Sequence, residues 1–272
     1  MGVSSSWWRR VHNTHHVTTN SEEFDPDIQY LPIFAINKKA CRDYFSEFHN
    51  RWFKFDAAAK ALVSFQHYLY LPILSVARFN LYALSWHHVW RQDLRVTKDV
   101  LMERVALVLF MVWNVWLISH LPNFLHIFVY VLLSHQLCGL VHLQIVLSHF
   151  AMETYNGLGY TPKDGREFLV NQLATTMDVD CNPWLDWFHG GLQHQVTHHL
   201  FPRLPRHRQR EVLEKYVKPL CKKYNIKYHS YTFLEGNLMV YRSMREAAKL
   251  ASKQRAELFG NSNLWKLMMA EG

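Results

Sequence analysis

The chain has 272 residues, 49% of them apolar, and a formal net charge of +8, enough apolar content for one or two buried cores. The basic excess comes with no helix-turn-helix, zinc-finger or RNA-recognition signature, which excludes nucleic acid as the expected partner. Four scattered cysteines without a CxxC pair exclude a disulfide framework and a zinc ribbon, so the unusual count is the 18 histidines.

The first cluster of them, "VHNTHH", opens at residue 11. On a helix, positions i, i+3 and i+4 share a face, so His12, His15 and His16 can point at one spot. An acidic, turn-rich stretch, "NSEEFDPDIQYLP", follows, and residues 1–60 read as a cytosolic segment carrying a histidine cluster. The stretch "ALVSFQHYLYLPILSVARFNLYALSW" is apolar but is interrupted by Gln66, His67, Pro72 and Arg78. It reads as interfacial helices over 61–88, lying in the headgroup region instead of crossing.

Beyond the basic residues Arg91 to Arg104, residues 105–149 hold two long apolar runs separated only by "HLPN". A crossing helix needs about 20 mostly apolar residues, so the pair reads as a transmembrane hairpin. Lys and Arg flank the pair but are absent from the turn, which directs both open ends to the cytosol and the turn to the lumen. His135, His142 and His149 recur every seven residues in the second run and form a stripe. His135, near mid-membrane, reads as a hydrogen-bonding residue between helices, and His149, at the cytosolic end, as a metal ligand.

Residues 150–272 read as a second cytosolic segment. Within it "QVTHH" repeats the earlier spacing, placing Gln195, His198 and His199 on one helical face. From Glu211 onward, "EVLEKYVKPLCKKY" and "SMREAAKLASKQRAELF" have the pattern of amphipathic helices. The expected fold class is therefore all-α: an integral membrane protein with a transmembrane helical hairpin and a cytosolic helical cap carrying the histidine boxes.

Two crossings return the chain to the side it left, so the two clusters can share a site. An imidazole-rich site suits iron, copper, nickel or zinc. HExxH, the HxE with PCxxC pair and ExxH are all missing from the sequence, which removes zinc proteases, zinc deaminases and soluble four-helix di-iron proteins. Many neutral histidines beside a membrane point toward two irons activating oxygen.

The stretches "WWRRVHNTHHVTTNSEEFDPDIQYLP", "DVDCNPWLDWFHGGLQHQVTHHLFPRLPRHRQR" and "PLCKKYNIKYHSYTFLEGN" resemble the front-end membrane fatty-acyl and sphingolipid desaturases, above all the Δ8 sphingolipid desaturases of plants and fungi. The likeness continues to "NLWKL" near the C-terminus, and the QxxHH form followed by "LFPRLPR" is its most specific mark. The resemblance implies a non-haem di-iron centre that uses O2 on a lipid chain, with electrons delivered by cytochrome b5 and its reductase. It maps His12, His15 and His16 onto the second box, and Gln195, His198 and His199 onto the third. His149 in "LSHF" matches the extra histidine of the hairpin.

The family's first box, an HxxxH, and its N-terminal cytochrome b5 domain with HPGG have no counterpart here. Residues 1–272 thus resemble the C-terminal two-thirds of a catalytic domain, an N-terminally truncated fatty acid desaturase domain. The expected activity is Δ8 desaturation of a sphingoid base at the endoplasmic reticulum membrane, by a multi-pass protein whose histidine boxes face the cytosol. A Δ5 or Δ6 acyl desaturase would share every box. The missing histidine pair also admits a non-catalytic membrane protein, either a pseudoenzyme or a truncated chain that pairs with a full-length desaturase.

Overall fold

The computed structural model describes residues 2–91, 95–137, 139–161 and 165–260; "NLWKL" and Cys138 lie outside them. In chain order the principal elements are α1 (Ser5–Val17), the strands β1 (Tyr44–Ser46) and β2 (Arg51–Phe53), α2 (Ala57–Ser64), α3 (Gln66–Val89), α4 (Lys98–Ser119), α5 (Phe124–Val131) and α6 (Gly139–Phe150). They continue with α7 (Gly165–Thr175), β3 (Asp178–Asp180), α8 (Asp186–His189), α9 (Gln195–Leu200), α10 (Arg206–Val212), α11 (Lys218–Lys223), β4 (Ser230–Thr232) and α12 (Phe233–Gly260). The fold is mostly helical. It departs from the all-α expectation in two small two-stranded sheets, β1 antiparallel to β2 and β3 parallel to β4. The first forms because Tyr44 and Phe53 face each other across the ladder with rings stacked at 5.2 Å, the cross-strand aromatic pairing that stabilises short hairpins, while Asn50 takes the left-handed turn conformation at φ 49°.

The chain divides into two compact units. The first comprises Met1–Val17 and Tyr70–Ile145, the second Thr18–Leu69 and Val146–Gly272.

In the first unit, Thr97 caps α4 by accepting from the Val100 N–H at 3.3 Å, and Asn123 caps α5 by accepting from the His126 N–H at 3.2 Å. The four residues between α4 and α5 are the expected "HLPN" turn. Lys98–Ser119 and the stretch Phe124–Phe150 are each long and apolar enough to cross a membrane, with mean hydropathy 1.8. Their apolar side chains point outward: Leu109, Val112, Trp113, Val115, Phe124 and Leu125 are all more than half exposed, and clustered exposed apolar side chains mark an interaction or membrane-facing surface.

A π-helical turn, Leu132–Gln136, interrupts the second of these stretches. His135 sits in it, stacked on Phe79 at 4.8 Å with its Nε2 3.4 Å from the Tyr82 hydroxyl. Gly139 lets α6 approach α3 closely, since a Cβ there would lie 2.9 Å from Ser75 Cα. Small residues at such crossings are how apolar helices pack without a hydrophobic drive between them. The stretch read as interfacial contains one continuous helix, α3, with Pro72 inside it. It is not among the helices that meet the length and hydropathy of a span.

In the second unit, α12 packs along α2 through small residues, with Ala59, Val63, Ala247 and Ala251 buried beside Phe53 and Phe55. Gln66, fully buried, is held as a peptide would be. Its Oε1 accepts from the Ala35 N–H at 2.8 Å, and its Nε2 donates to the Ala35 and Met244 carbonyls at 2.9 and 2.8 Å. A second core, Leu173, Val196, Leu213, Val217 and Cys221, joins α7, α9 and the helices after them. The amphipathic helices start earlier than the charge pattern marks, at Arg206 instead of Glu211 and at Phe233 instead of Ser243.

Candidate metal centre

The first histidine cluster lies on α1, where His15 and His16 are buried and His12 is half-buried. The Nε2 atoms of His12 and His16 are 3.1 Å apart. Neutral imidazole has one donor and one acceptor nitrogen, so this spacing is met either by one proton between the rings or by two lone pairs turned to one cation. His15 completes the face, with ring centroids 6.0 Å from His12 and 5.9 Å from His16. Trp8 stacks on His12 at 5.2 Å and fixes its plane.

The helix has no acid in its own first turn. Glu103 of α4 supplies one, accepting from the Ser6 N–H at 2.9 Å and from the hydroxyls of Ser4, Ser5 and Ser6. A carboxylate at this end satisfies unpaired N–H groups and complements the helix dipole.

The second unit brings together His149, at the end of α6, and His199, on α9. Their ring centroids are 4.7 Å apart and their ring nitrogens approach within 4.8 Å; both side chains are almost fully buried. His149 Nδ1 lies 3.3 Å from the Thr175 carbonyl, and His199 Nδ1 lies 2.9 Å from Gln172 Oε1. A carbonyl oxygen can only accept, so each Nδ1 carries the proton and each Nε2 the lone pair. Metal-binding histidines are oriented in this way, by giving the other N–H to a carbonyl or carboxylate.

Thr19 Oγ1 adds a donor to the same Gln172 oxygen at 3.0 Å. His198 precedes His199 on the same helix, their rings 5.8 Å apart. Gln195 is buried and its Nε2 donates to the Leu192 carbonyl at 3.1 Å, so any metal-directed role falls to Oε1.

Gln172, Thr19, Thr175 and the buried Asp178 were not legible as site residues. A glutamine inside a helix and an aspartate in "TTMDVD" carry no motif. Asp178 Oδ1 accepts from the Val196 N–H at 2.7 Å and Oδ2 from the Tyr228 hydroxyl at 2.7 Å. Burial pushes its carboxyl up to about 7, against the lowering pull of Tyr228 and the backbone N–H groups. His194, beside Gln195, is pushed down to about 4 by burial and is neutral at physiological pH.

Residues 1–232 match the fatty acid desaturase family. The chain belongs to that family. The matched segment contains every one of the seven predicted ligands, from His12 to His199. Among its relatives, this desaturase-family chain is 45% identical over 256 residues to a Delta 8-(E)-sphingolipid desaturase of Kluyveromyces lactis, covering 92% of this chain and 44% of that protein. It is 36% identical over 271 residues to Delta(8)-fatty-acid desaturase 2 of Arabidopsis thaliana, covering 100% of this chain and 59% of that one. With a Delta(8)-fatty-acid desaturase of Helianthus annuus the identity is 39%, over 91% and 52%. The chain thus spans about half the length of these relatives. No solved structure matches it.

Desaturases of this family are iron-dependent, and the donor set fits that ion. Neutral imidazoles whose Nδ1 protons are committed to carbonyls present Nε2 lone pairs of the kind iron accepts.

Proposed function

We propose that this chain carries an iron-binding part of an O2-dependent front-end lipid desaturase, acting at the Δ8 position of a sphingoid base. The names and identities of the relatives support the substrate class. The observation that carries the site is the Thr19–Gln172–His199 contact. Thr19 is only three residues beyond His16, and at 3.8 Å per peptide the chain limits their Cα separation to about 11 Å. This covalent limit supports the reading that the two clusters serve one centre.

His12, His15, His16, His149, Gln195, His198 and His199 are the proposed ligands of two irons. Bound iron supplies the oxidising chemistry that removes hydrogen from an unactivated methylene at the expense of O2. The protein's own contribution is orientation and exclusion of water. The Thr175 carbonyl and Gln172 fix the planes of His149 and His199, and both rings are buried from bulk solvent.

The proposed setting is the endoplasmic reticulum membrane. The apolar helices cross as a hairpin, the boxes face the cytosol, and cytochrome b5 with its reductase delivers electrons. Support comes from the outward apolar surface of the hairpin and from a turn, His120–Asn123, without Lys or Arg between basic flanks. The test is lipid analysis of cells expressing this chain with cytochrome b5 and lacking their own Δ8 desaturase. A Δ8-unsaturated sphingoid base, lost in His199→Ala, is the expected product; none above the empty-vector control contradicts the reading.

A further inference from the structure

The helix that carries the third box is held by a residue outside it. α9 has no side-chain cap of its own, since His194 at its N-cap position makes no such bond. The task falls to Asp178, 1% exposed, whose carboxylate accepts from the backbone N–H groups of Gln195 and Val196. Unpaired N–H groups at a buried helix start need such an acceptor, and here it comes from a strand 17 or 18 residues earlier. The other carboxylate oxygen accepts from the Tyr228 hydroxyl at 2.7 Å.

Asp178 also lies in a short run of backbone that reaches the hairpin histidine. The Thr175 carbonyl faces His149 Nδ1 at 3.3 Å, and the Met177 N–H donates to the Ser148 carbonyl at 3.0 Å. The Asp178 N–H donates to the His229 carbonyl at 3.0 Å, and the Val179 N–H to the Gln193 carbonyl at 2.9 Å. Residues 175–179 are therefore bonded to His149 on one side and to the start of the third-box helix on the other. The spacing between His149 and His199 is fixed through this segment.

We propose that Asp178 and Tyr228 are positioning residues of the metal centre: the Tyr228 hydroxyl orients the Asp178 carboxylate, which sets where the third-box helix presents its imidazoles relative to His149. The inference rests on the reading that His149, His198 and His199 bind iron. Metal geometry is sensitive to displacements of about 0.5 Å in its supporting residues, and loss of such outer partners typically weakens metal binding 10- to 100-fold. The aromatic ring of Tyr228 packs on the core of Leu173, Val196 and Leu213, so phenylalanine keeps the packing and removes only the hydroxyl.

The test compares Fe(II) affinity and the Mössbauer spectrum of the iron-loaded full chain for wild type, Tyr228→Phe, Asp178→Asn, Asp178→Ala and His198→Ala. Tyr228→Phe is expected to melt near the wild-type temperature, yet to bind Fe(II) about 10-fold more weakly and to show an altered quadrupole doublet. Asp178→Asn, which retains an oxygen acceptor for the N–H groups, is expected to restore more of the wild-type spectrum than Asp178→Ala. Wild-type affinity and spectrum in Tyr228→Phe, with iron lost in His198→Ala, would overturn the positioning role alone. A lowered melting temperature with an unchanged spectrum would overturn it equally, as a structural effect. Full iron retention in His198→Ala would overturn the ligand assignment and the positioning role with it.

Discussion

Thr19 Oγ1 stands 3.2 Å from His199 Nδ1, although 180 positions separate the two residues. With Gln172 Oε1 they form a buried triangle, every edge of which is 3.2 Å or shorter. Thr19, two residues beyond the end of α1, is thus bonded by its side chain to His199 of α9, and Asn20 adds bonds to the carbonyls of His149 and Glu153 at 2.9 and 3.0 Å.

Gln172 is the member of this triangle that fixes the His199 tautomer. Gln172→Leu keeps the volume and removes the acceptor, so Fe(II) affinity is expected to fall about 10- to 100-fold with the helical circular dichroism unchanged. Thr19→Val is expected to lower it less, because His199 retains Gln172. Competition titration against a coloured chelator measures both.

Gln66 serves the fold and not the metal. Gln66→Leu strands the Ala35 N–H and the Ala35 and Met244 carbonyls in a buried setting, at an expected cost of about 3 kcal/mol. Urea unfolding in detergent checks the loss, and Fe(II) affinity of the folded fraction is expected to stay at the wild-type value.

Glu103→Ala removes the acceptor for Ser4, Ser5 and Ser6 at the start of α1. The expected loss is about 1–2 kcal/mol of local stability. Amide hydrogen exchange should quicken in Ser5–Val17 and remain unchanged in Phe233–Gly260.

The hairpin topology is tested by labelling. In a background without native cysteines, Asn123→Cys in the turn and Tyr216→Cys, 60% exposed between α10 and α11, are exposed in turn to a membrane-impermeant maleimide in sealed microsomes. Tyr216→Cys is expected to react in intact vesicles and Asn123→Cys only after permeabilisation. The reverse order contradicts a cytosolic third box.

Spacing carried a good part of this chain. His12, His15 and His16 announce a helical face by i, i+3, i+4 recurrence, and α1 presents them so. His135 was expected between helices and stacks on Phe79. What spacing misses is anything whose role depends on distant partners. Gln66 looked like an interruption of an apolar run, and only tertiary contact turns it into a peptide mimic. Gln172 and Asp178 carry no periodic signal because they act on backbone and ring nitrogens brought near by the fold. The small sheets were invisible for a related reason: three-residue strands are shorter than any alternation pattern can register.

The proposed sharing of iron by the two histidine clusters is tested most directly by metal content per chain after purification and Fe(II) loading, in wild type, His15→Ala, His198→Ala and His229→Ala. Iron is expected in wild type and in His229→Ala, and is expected to be lost from both box variants, although their histidines lie 183 residues apart in the sequence. Equal iron in all four proteins would contradict a shared centre.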